Sequence, residues 1–394
     1  MLELLFWILF AIVGYTYSGY AVLLFLMVQA KALFNKKKEG RLPSGRQLPD
    51  VCLFVTAYNE RDCIEQKVAN SFSLNYPKEK LQYIWVTDGS DDGSPEKLRQ
   101  YPELEVYHLD ERRGKMHAMN RGMQFVRTPI VVFSDSNTLL GHNSVMEIVS
   151  EFGNPAVGCV AGEKRIVEKA SDGAAGAGES LYWKFESRIK KLDSDLNSAV
   201  GAVGELFAIR SELFEKVEED TLLDDFIISL RIAMKGYKIA YAPGAYAIET
   251  ASASVSEEMK RKIRIAAGGV QALARLKPLL NPFRFGLLSF QYISHKALRW
   301  TIAPLALFGL FLVNFLILFP DNFRESGFFS VFFYIQLFMY LVAFGGRLFE
   351  RRKTRIKIAF VPYYFLSMNY AAIAGWFRFL SGKQSVKWEK AKRA

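Results

Sequence analysis

The run PIVVFSDSNT, residues 129–138, fixes the fold class from which the rest of the chain follows. Four apolar residues, Ile130–Phe133, stop at Ser134, Asp135, Ser136 and Asn137. A short apolar run rich in β-branched and aromatic types, ended by polar turn formers, marks a strand buried on both faces. In open α/β sheets, ligands gather beyond the carboxyl ends of such strands. Asp135 and Asn137 stand two apart at that place, with hard oxygen donors suited to a divalent cation. The same pair also suits an Asx turn that merely closes the strand.

Upstream the pattern alternates. Strands are predicted at Val51–Thr56, Leu81–Thr87 and Leu104–Leu109, then at Ile130–Ser134 and Val157–Ala161. Helical patterns fall at Glu60–Leu74 and Lys115–Val126. Alternation of this kind implies an α/β domain with a doubly wound sheet. Downstream it is less regular. Leu181–Lys191 is amphipathic, Val200–Ile209 is small and apolar, and Leu222–Lys235 reads as a helix opening on paired acids. Tyr237–Tyr241 reads as an edge strand, and AGEKR (161–165) as no more than a polar loop. Glu257–Leu276 and Phe283–Trp300 mix basic and apolar residues as helices at a membrane interface do.

The chain is 51% hydrophobic yet 23% charged, which suits a protein part soluble and part membrane-embedded. Leu4–Ala30, Thr301–Pro320, Gly327–Gly346 and Ile358–Phe377 lack charged residues for about the 20 residues that a spanning helix needs. The first has no basic leader or small-residue cleavage site, and reads as an uncleaved anchor. The net charge of +11 crowds beside these stretches, at Lys31–Arg41, Arg347–Lys357 and the tail. That placement fits the positive-inside pattern and anionic headgroups rather than nucleic acid. A fourth crossing would carry the basic tail outside, so Ile358–Phe377, with Pro362 and Asn369, is expected to be re-entrant or interfacial. Cys52, Cys63 and Cys159 are odd in number and scattered, as reduced thiols of a cytoplasmic domain are.

Chemistry-bearing residues cluster at the predicted strand ends. VTAYNE (55–60) supplies Tyr58, Asn59 and Glu60; WVTDGSDDGS (85–94) supplies Asp88 before a glycine- and acid-rich turn. A carboxylate at such an end can hydrogen-bond a base or ribose. In ERRGKMHAMNRG (111–122), Gly114 and Lys115 open a helix whose amino end and amine suit phosphate. LLDDF (222–226) puts Asp224 and Asp225 in a first helical turn. They suit the helix dipole there, and as neighbours they raise each other's pKa, which tunes a general base. KRKIRI (260–265) sets Arg261 and Arg264 three apart on one helical face, as a diphosphate grip or a membrane-surface run.

In this order the motifs resemble those of the membrane-bound family-2 glycosyltransferases, the branch of cellulose, hyaluronan and poly-N-acetylglucosamine synthases. The resemblance covers roughly 49–276 by motif and the flanking spans by arrangement. It implies a GT-A-type nucleotide-sugar-binding domain with flanking transmembrane helices. The chain then divides into an anchor (1–30), a basic linker (31–50), the cytoplasmic catalytic domain (51–256) and interfacial helices (257–300). Two spans (301–346), a third apolar segment (358–380) and a basic tail (381–394) follow.

Carried over by motif, the resemblance makes Tyr58, Glu60 and Asp88 nucleotide contacts and Lys115 the phosphate-side lysine. Asp135 and Asn137 become the metal pair for Mg²⁺ or Mn²⁺, and Asp225, beside Asp224, the catalytic base. Arg264, with Arg261, grips the diphosphate. It implies inverting transfer from a UDP-sugar to a polysaccharide or lipid acceptor at the cytoplasmic face of the cell membrane. A membrane partner subunit or self-association would widen the conduit. Two departures stand out. Asn137 replaces a second aspartate, and the family's QxxRW becomes Arg261–Ile265, without its glutamine and tryptophan. The second favours single addition to a lipid, or a non-catalytic nucleotide-sensing subunit, as alternatives to a processive enzyme.

Overall fold

A computed structural model describes residues 1–34, 47–167, 174–250, 255–321, 323, 327–351 and 357–382. Most of the basic linker and of the basic tail, and part of the cluster before Lys357, lie outside the described residues.

One eight-stranded sheet forms the centre, built from β1 (Val51–Ala57), β2 (Leu81–Asp88), β3 (Leu104–Leu109), β4 (Ile130–Asp135), β5 (Leu139–Leu140), β6 (Val157–Val167), β7 (Leu206–Arg210) and β8 (Lys238–Thr250). Their order is β3-β2-β1-β4-β7-β6-β8-β5. The first four neighbours are parallel, and the runs Val51–Val55 of β1 and Ile130–Phe133 of β4 are apolar because both faces are covered. Cys52 and Phe54 of β1, with Val131 and Phe133 of β4, face helices Lys115–Gly122 and Asp224–Met234. Val51, Leu53 and Val55, with Ile130 and Val132, face helices Arg61–Phe72 and Ser144–Glu151.

The sheet is mixed rather than simply doubly wound. The end of the small apolar stretch, LFAIR, folds as β7 and runs antiparallel between β4 and β6. AGEKR is not a loop: it lies inside β6, which pairs with β8 out to Thr250 across a register shift at Gly162/Glu163. Tyr237–Tyr241 is the start of that long β8, and the two-residue β5 lies outside its far end, at Ala247–Ile248.

Two helices, Leu2–Phe34 and Phe328–Leu348, are long and apolar enough to cross a membrane. Pro282–Trp300 and Ile302–Leu318 pass the same test only as a pair, bent by 53° at their junction, as a broken span or a re-entrant loop is. Helix Lys357–Leu380 is not among them. Phe6 of the first helix packs on Leu310 and Val313, while Leu4, Ile8, Leu26, Leu312, Ile335 and Phe338 point outward. An apolar exterior on long helices is what hydrocarbon solvates and water does not. Helix Val255–Arg275, expected at the interface, buries Ala266, Ala267, Val270 and Ala272. A Cβ at Gly375 would come within 2.6 Å of the Ala266 Cβ, so glycine lets the last helix lie directly on it.

Candidate active site

The strand order reverses at β1, with β2 on one side and β4 on the other, and a crevice opens at their carboxyl ends. Register sets those ends level: Thr56 of β1 lies beside Asp135 of β4, and Ala57 beside Thr87 of β2. Antiparallel β7 brings its amino end to the same edge, with Leu206 beside Ser134 and Glu205 just beyond.

Four sequence-predicted residues meet there. The Lys115 amine lies 2.9 Å from Asp135 Oδ1 and 3.1 Å from Asp224 Oδ2. Gly204 adjoins both groups of the centre: a Cβ on it would sit 3.7 Å from Lys115 Nζ and 3.8 Å from Asp225 Oδ2. The loop carrying Gly204 is fastened to the catalytic helix. Ser229 Oγ accepts from the Ala202 N–H at 3.0 Å and donates to the Asp225 carbonyl at 2.6 Å.

The electrostatics follow from burial and crowding. Burial opposes the charge on Lys115, but Asp135 and Asp224 outweigh it and hold the ammonium above its ordinary range. Burial pushes the Asp135 carboxyl up; Lys115 pulls it back and Glu205 adds to the rise. Asp225 is pushed up to about 7, first by burial and next by the neighbouring Asp224 charge. A carboxyl group titrating near neutrality is suited to general-base work.

On the donor side, Asp88 braces a loop. Its carboxylate accepts from the Arg113 N–H at 3.1 Å and the Gly114 N–H at 2.6 Å. Gly89 makes that approach feasible: its φ is +66°, and a Cβ would strike Arg112 at 2.6 Å. The Arg112 guanidinium lies over the Tyr58 ring at 3.8 Å. Asn59 and Asp91 clasp the two loops, with Asn59 Nδ2 donating to Asp91 Oδ1 at 2.7 Å. Glu60 is buried at the start of helix Arg61–Phe72, where its N–H donates to Ser94 Oγ at 3.2 Å. Tyr58, Asp88, Arg112 and Lys115 thus line one slot, and Lys115 also lines the adjoining slot with Asp135 and Asp224.

Asp135 and the half-buried Asn137 offer oxygen donors only, one anionic and one neutral, which fits Mg²⁺ or Mn²⁺. Among the described residues no group of three or more His, Cys, Asp or Glu is arranged to hold a metal alone. The donor set therefore needs further oxygens, of the kind a nucleotide diphosphate brings.

Arg261 and Arg264 lie on helix Val255–Arg275. Arg261 Nε donates to Glu258 Oε2 at 3.0 Å, and its Nη1 lies 3.7 Å from Glu249 Oε2. It reaches the centre through a relay: Lys164, fully buried, bridges Glu249 and Glu205. Burial opposes ionisation of Glu205, but Lys164 wins and brings it down to about 2. Lys67 is a second residue that motif reasoning missed. Its buried amine donates to Ser134 Oγ at 2.7 Å and the Thr138 carbonyl at 2.8 Å, gripping both ends of the SDSNT turn. Its signal was present, since Lys67 stands on the buried stripe Ile64, Val68 and Ser71.

Residues 49–268, more than half of the chain, match the family model described as Glycosyltransferase like family 2. The chain is 26% identical over 253 residues to a poly-beta-1,6-N-acetyl-D-glucosamine synthase of Staphylococcus aureus, covering 61% of this chain and 59% of that protein. The Staphylococcus epidermidis protein of the same name is 22% identical over 335 residues, 81% of this chain and 80% of that one. A mannosyltransferase from Pyrobaculum calidifontis, solved with GDP-Man and Mn2+, shares the fold at a TM-score of 0.70 and 24% identity, over 98% of this chain and all of that one. The expected α/β GT-A-type domain with flanking apolar helices is thereby borne out.

Proposed function

The chain belongs to glycosyltransferase like family 2, and from that premise we propose an inverting, metal-dependent transferase that moves a sugar from a UDP-sugar to an acceptor at the cytoplasmic membrane face. One observation carries this reading: Asp225, with a carboxyl group near neutrality, shares a crevice with Lys115 and Asp135 at the switch point of the sheet.

Asp225 takes the proton of an acceptor hydroxyl as its oxygen bonds to the anomeric carbon. The bond from that carbon to the donor's diphosphate oxygen breaks, and the nucleoside diphosphate leaves. Asp135 and Asn137 would hold a divalent cation, which would supply positive charge for that leaving group. Lys115 adds a fixed ammonium on the same side, and Arg261 and Arg264 are assigned to the diphosphate from the basic helix. Tyr58, Glu60 and Asp88 orient the nucleotide, Asp88 by holding the Arg113–Gly114 backbone as well.

The relatives named poly-beta-1,6-N-acetyl-D-glucosamine synthase favour an N-acetylhexosaminyl donor and a polysaccharide product. The membrane frame favours an acceptor presented from the bilayer. Asp225→Asn keeps the size of the side chain and removes the base. Transfer is expected to fall roughly 100- to 10,000-fold while nucleotide binding by calorimetry stays within a factor of a few. Near-normal turnover in that variant removes Asp225 from the mechanism.

A further inference from the structure

A cavity of about 380 Å³ lies between the catalytic domain and the apolar helices. Its walls are Tyr17, Tyr182, Phe185, Ile265, Trp300 and Phe365, so it is aromatic and apolar for most of its surface. On the wall, the Tyr17 hydroxyl donates to Asn369 Oδ1. Two cations, Lys262 and Arg299, stand on the wall. Lys262 Nζ lies 3.4 Å from Glu258 Oε1 and over the Tyr182 ring at 4.5 Å, while Arg299 Nη1 donates to Glu186 Oε2 at 3.1 Å, a carboxylate that Lys296 and His295 also contact. Trp300 of the cavity wall reaches toward the helix that carries the base. The Trp300 ring packs against Phe226 at 5.1 Å, and Phe226 directly follows Asp225.

We propose that this cavity binds the apolar chain of a lipid-linked saccharide, with the anionic phosphate linker at Lys262 and Arg299 and the sugar reaching Asp225. The proposal rests on the transferase reading and names its acceptor. A bare sugar has no chain to fill an aromatic cavity, and a growing polysaccharide needs polar walls that its hydroxyls can bond. A bare lipid phosphate needs no general base, because its oxygen is already ionised. A lipid-linked sugar suits all three features: apolar walls, two cations on the wall, and a carboxyl base on the helix whose Phe226 packs on Trp300 of the wall.

The test uses the full chain in detergent micelles and a photoreactive polyisoprenyl diphosphate bearing one N-acetylglucosamine. Crosslinks should map to 181–185 and 361–372. Ile265→Trp and Ala372→Trp, which fill the cavity, should each cut crosslinking by about tenfold or more by excluding the chain. Nucleotide binding by calorimetry serves as the folding control. If the filled variants misfold, Lys262→Gln should weaken capture of the diphosphate probe and leave a polyisoprenol probe unaffected. Equal labelling by polyisoprenol in the unmodified protein, or undiminished labelling in folded filled variants, overturns the proposal. Wild-type hydrolysis of UDP-N-acetylglucosamine and other UDP-sugars is scored separately. Its absence overturns the transferase reading whatever the lipid does, whereas hydrolysis with no lipid capture overturns the acceptor site alone.

Discussion

Asp225 and Asp224 are adjacent acids with unequal surroundings: Asp224 faces Lys115, whereas burial and the Asp224 charge push Asp225 up to about 7. A base works when deprotonated, so transfer should rise with pH through a limb at or below about 7, since a bound cation can only lower it. Asp224→Asn removes the neighbouring negative charge and leaves Lys115 less engaged, both of which favour ionised Asp225. The limb should then move to lower pH by on the order of one unit, read from kcat/KM profiles. A limb that stays put, or moves upward, contradicts the coupling. These residues were legible in the sequence because each stands where a local pattern ends: Asp135 after an apolar run, Lys115 after a glycine, Asp224–Asp225 before a helix. Glu205 was not, because its meaning depends on Lys164, 41 residues away, and on a strand that runs against its neighbours.

The elements were legible in the same proportion as they were local. Parallel strands with helical crossovers have strong periodic signatures, and β1 to β4 fell close to their expected places. β7 is five residues long and follows two glycines, so nothing in LFAIR alone sets its direction or its partner. AGEKR was misjudged for the complementary reason: charged residues suggest a loop, but Lys164 is buried where β6, β7 and β8 meet. Its amine bridges Glu205 at the start of β7 and Glu249 near the end of β8. Lys164→Met would take from Glu205 and the buried Glu249 the ammonium they share. Removing one partner of a buried ion cluster costs about 3–5 kcal/mol, so a marked fall in the thermal midpoint is expected, larger at neutral pH than in acid, where the carboxyls protonate. A midpoint within a degree or so of the parent would mean that water reaches this cluster.

At the scale of the molecule, the anchor and the catalytic domain are joined by named contacts rather than by the linker alone. Tyr20 donates to Asp193, and the Lys31 amine donates to the carbonyls of Asp195 at 2.8 Å and Leu196 at 2.6 Å. Asp193 also accepts from Gln291 Nε2 at 3.0 Å and pairs with His295 Nδ1 at 2.6 Å. One carboxylate on helix Ala174–Leu196 thus ties the first apolar helix to the bent pair that follows the domain. Such a joint ties the helix that carries Asp193 to the apolar helices, which matters if the acceptor arrives from the membrane. On the proposed cytoplasmic placement of the domain, the first helix would enter the cytoplasm, the bent pair would leave it, and Phe328–Leu348 would return. Lys357–Leu380 then either crosses again or stays at the inner face. Charge placement argues for the inner face, since a crossing would export the basic tail. Ser381 is exposed directly after this helix, and the three native cysteines all belong to the catalytic domain, two of them buried. Ser381→Cys should therefore resist a membrane-impermeant maleimide in intact cells and react once the membrane is opened. Labelling of intact cells at position 381 would show that the last helix spans the membrane and that the tail lies outside.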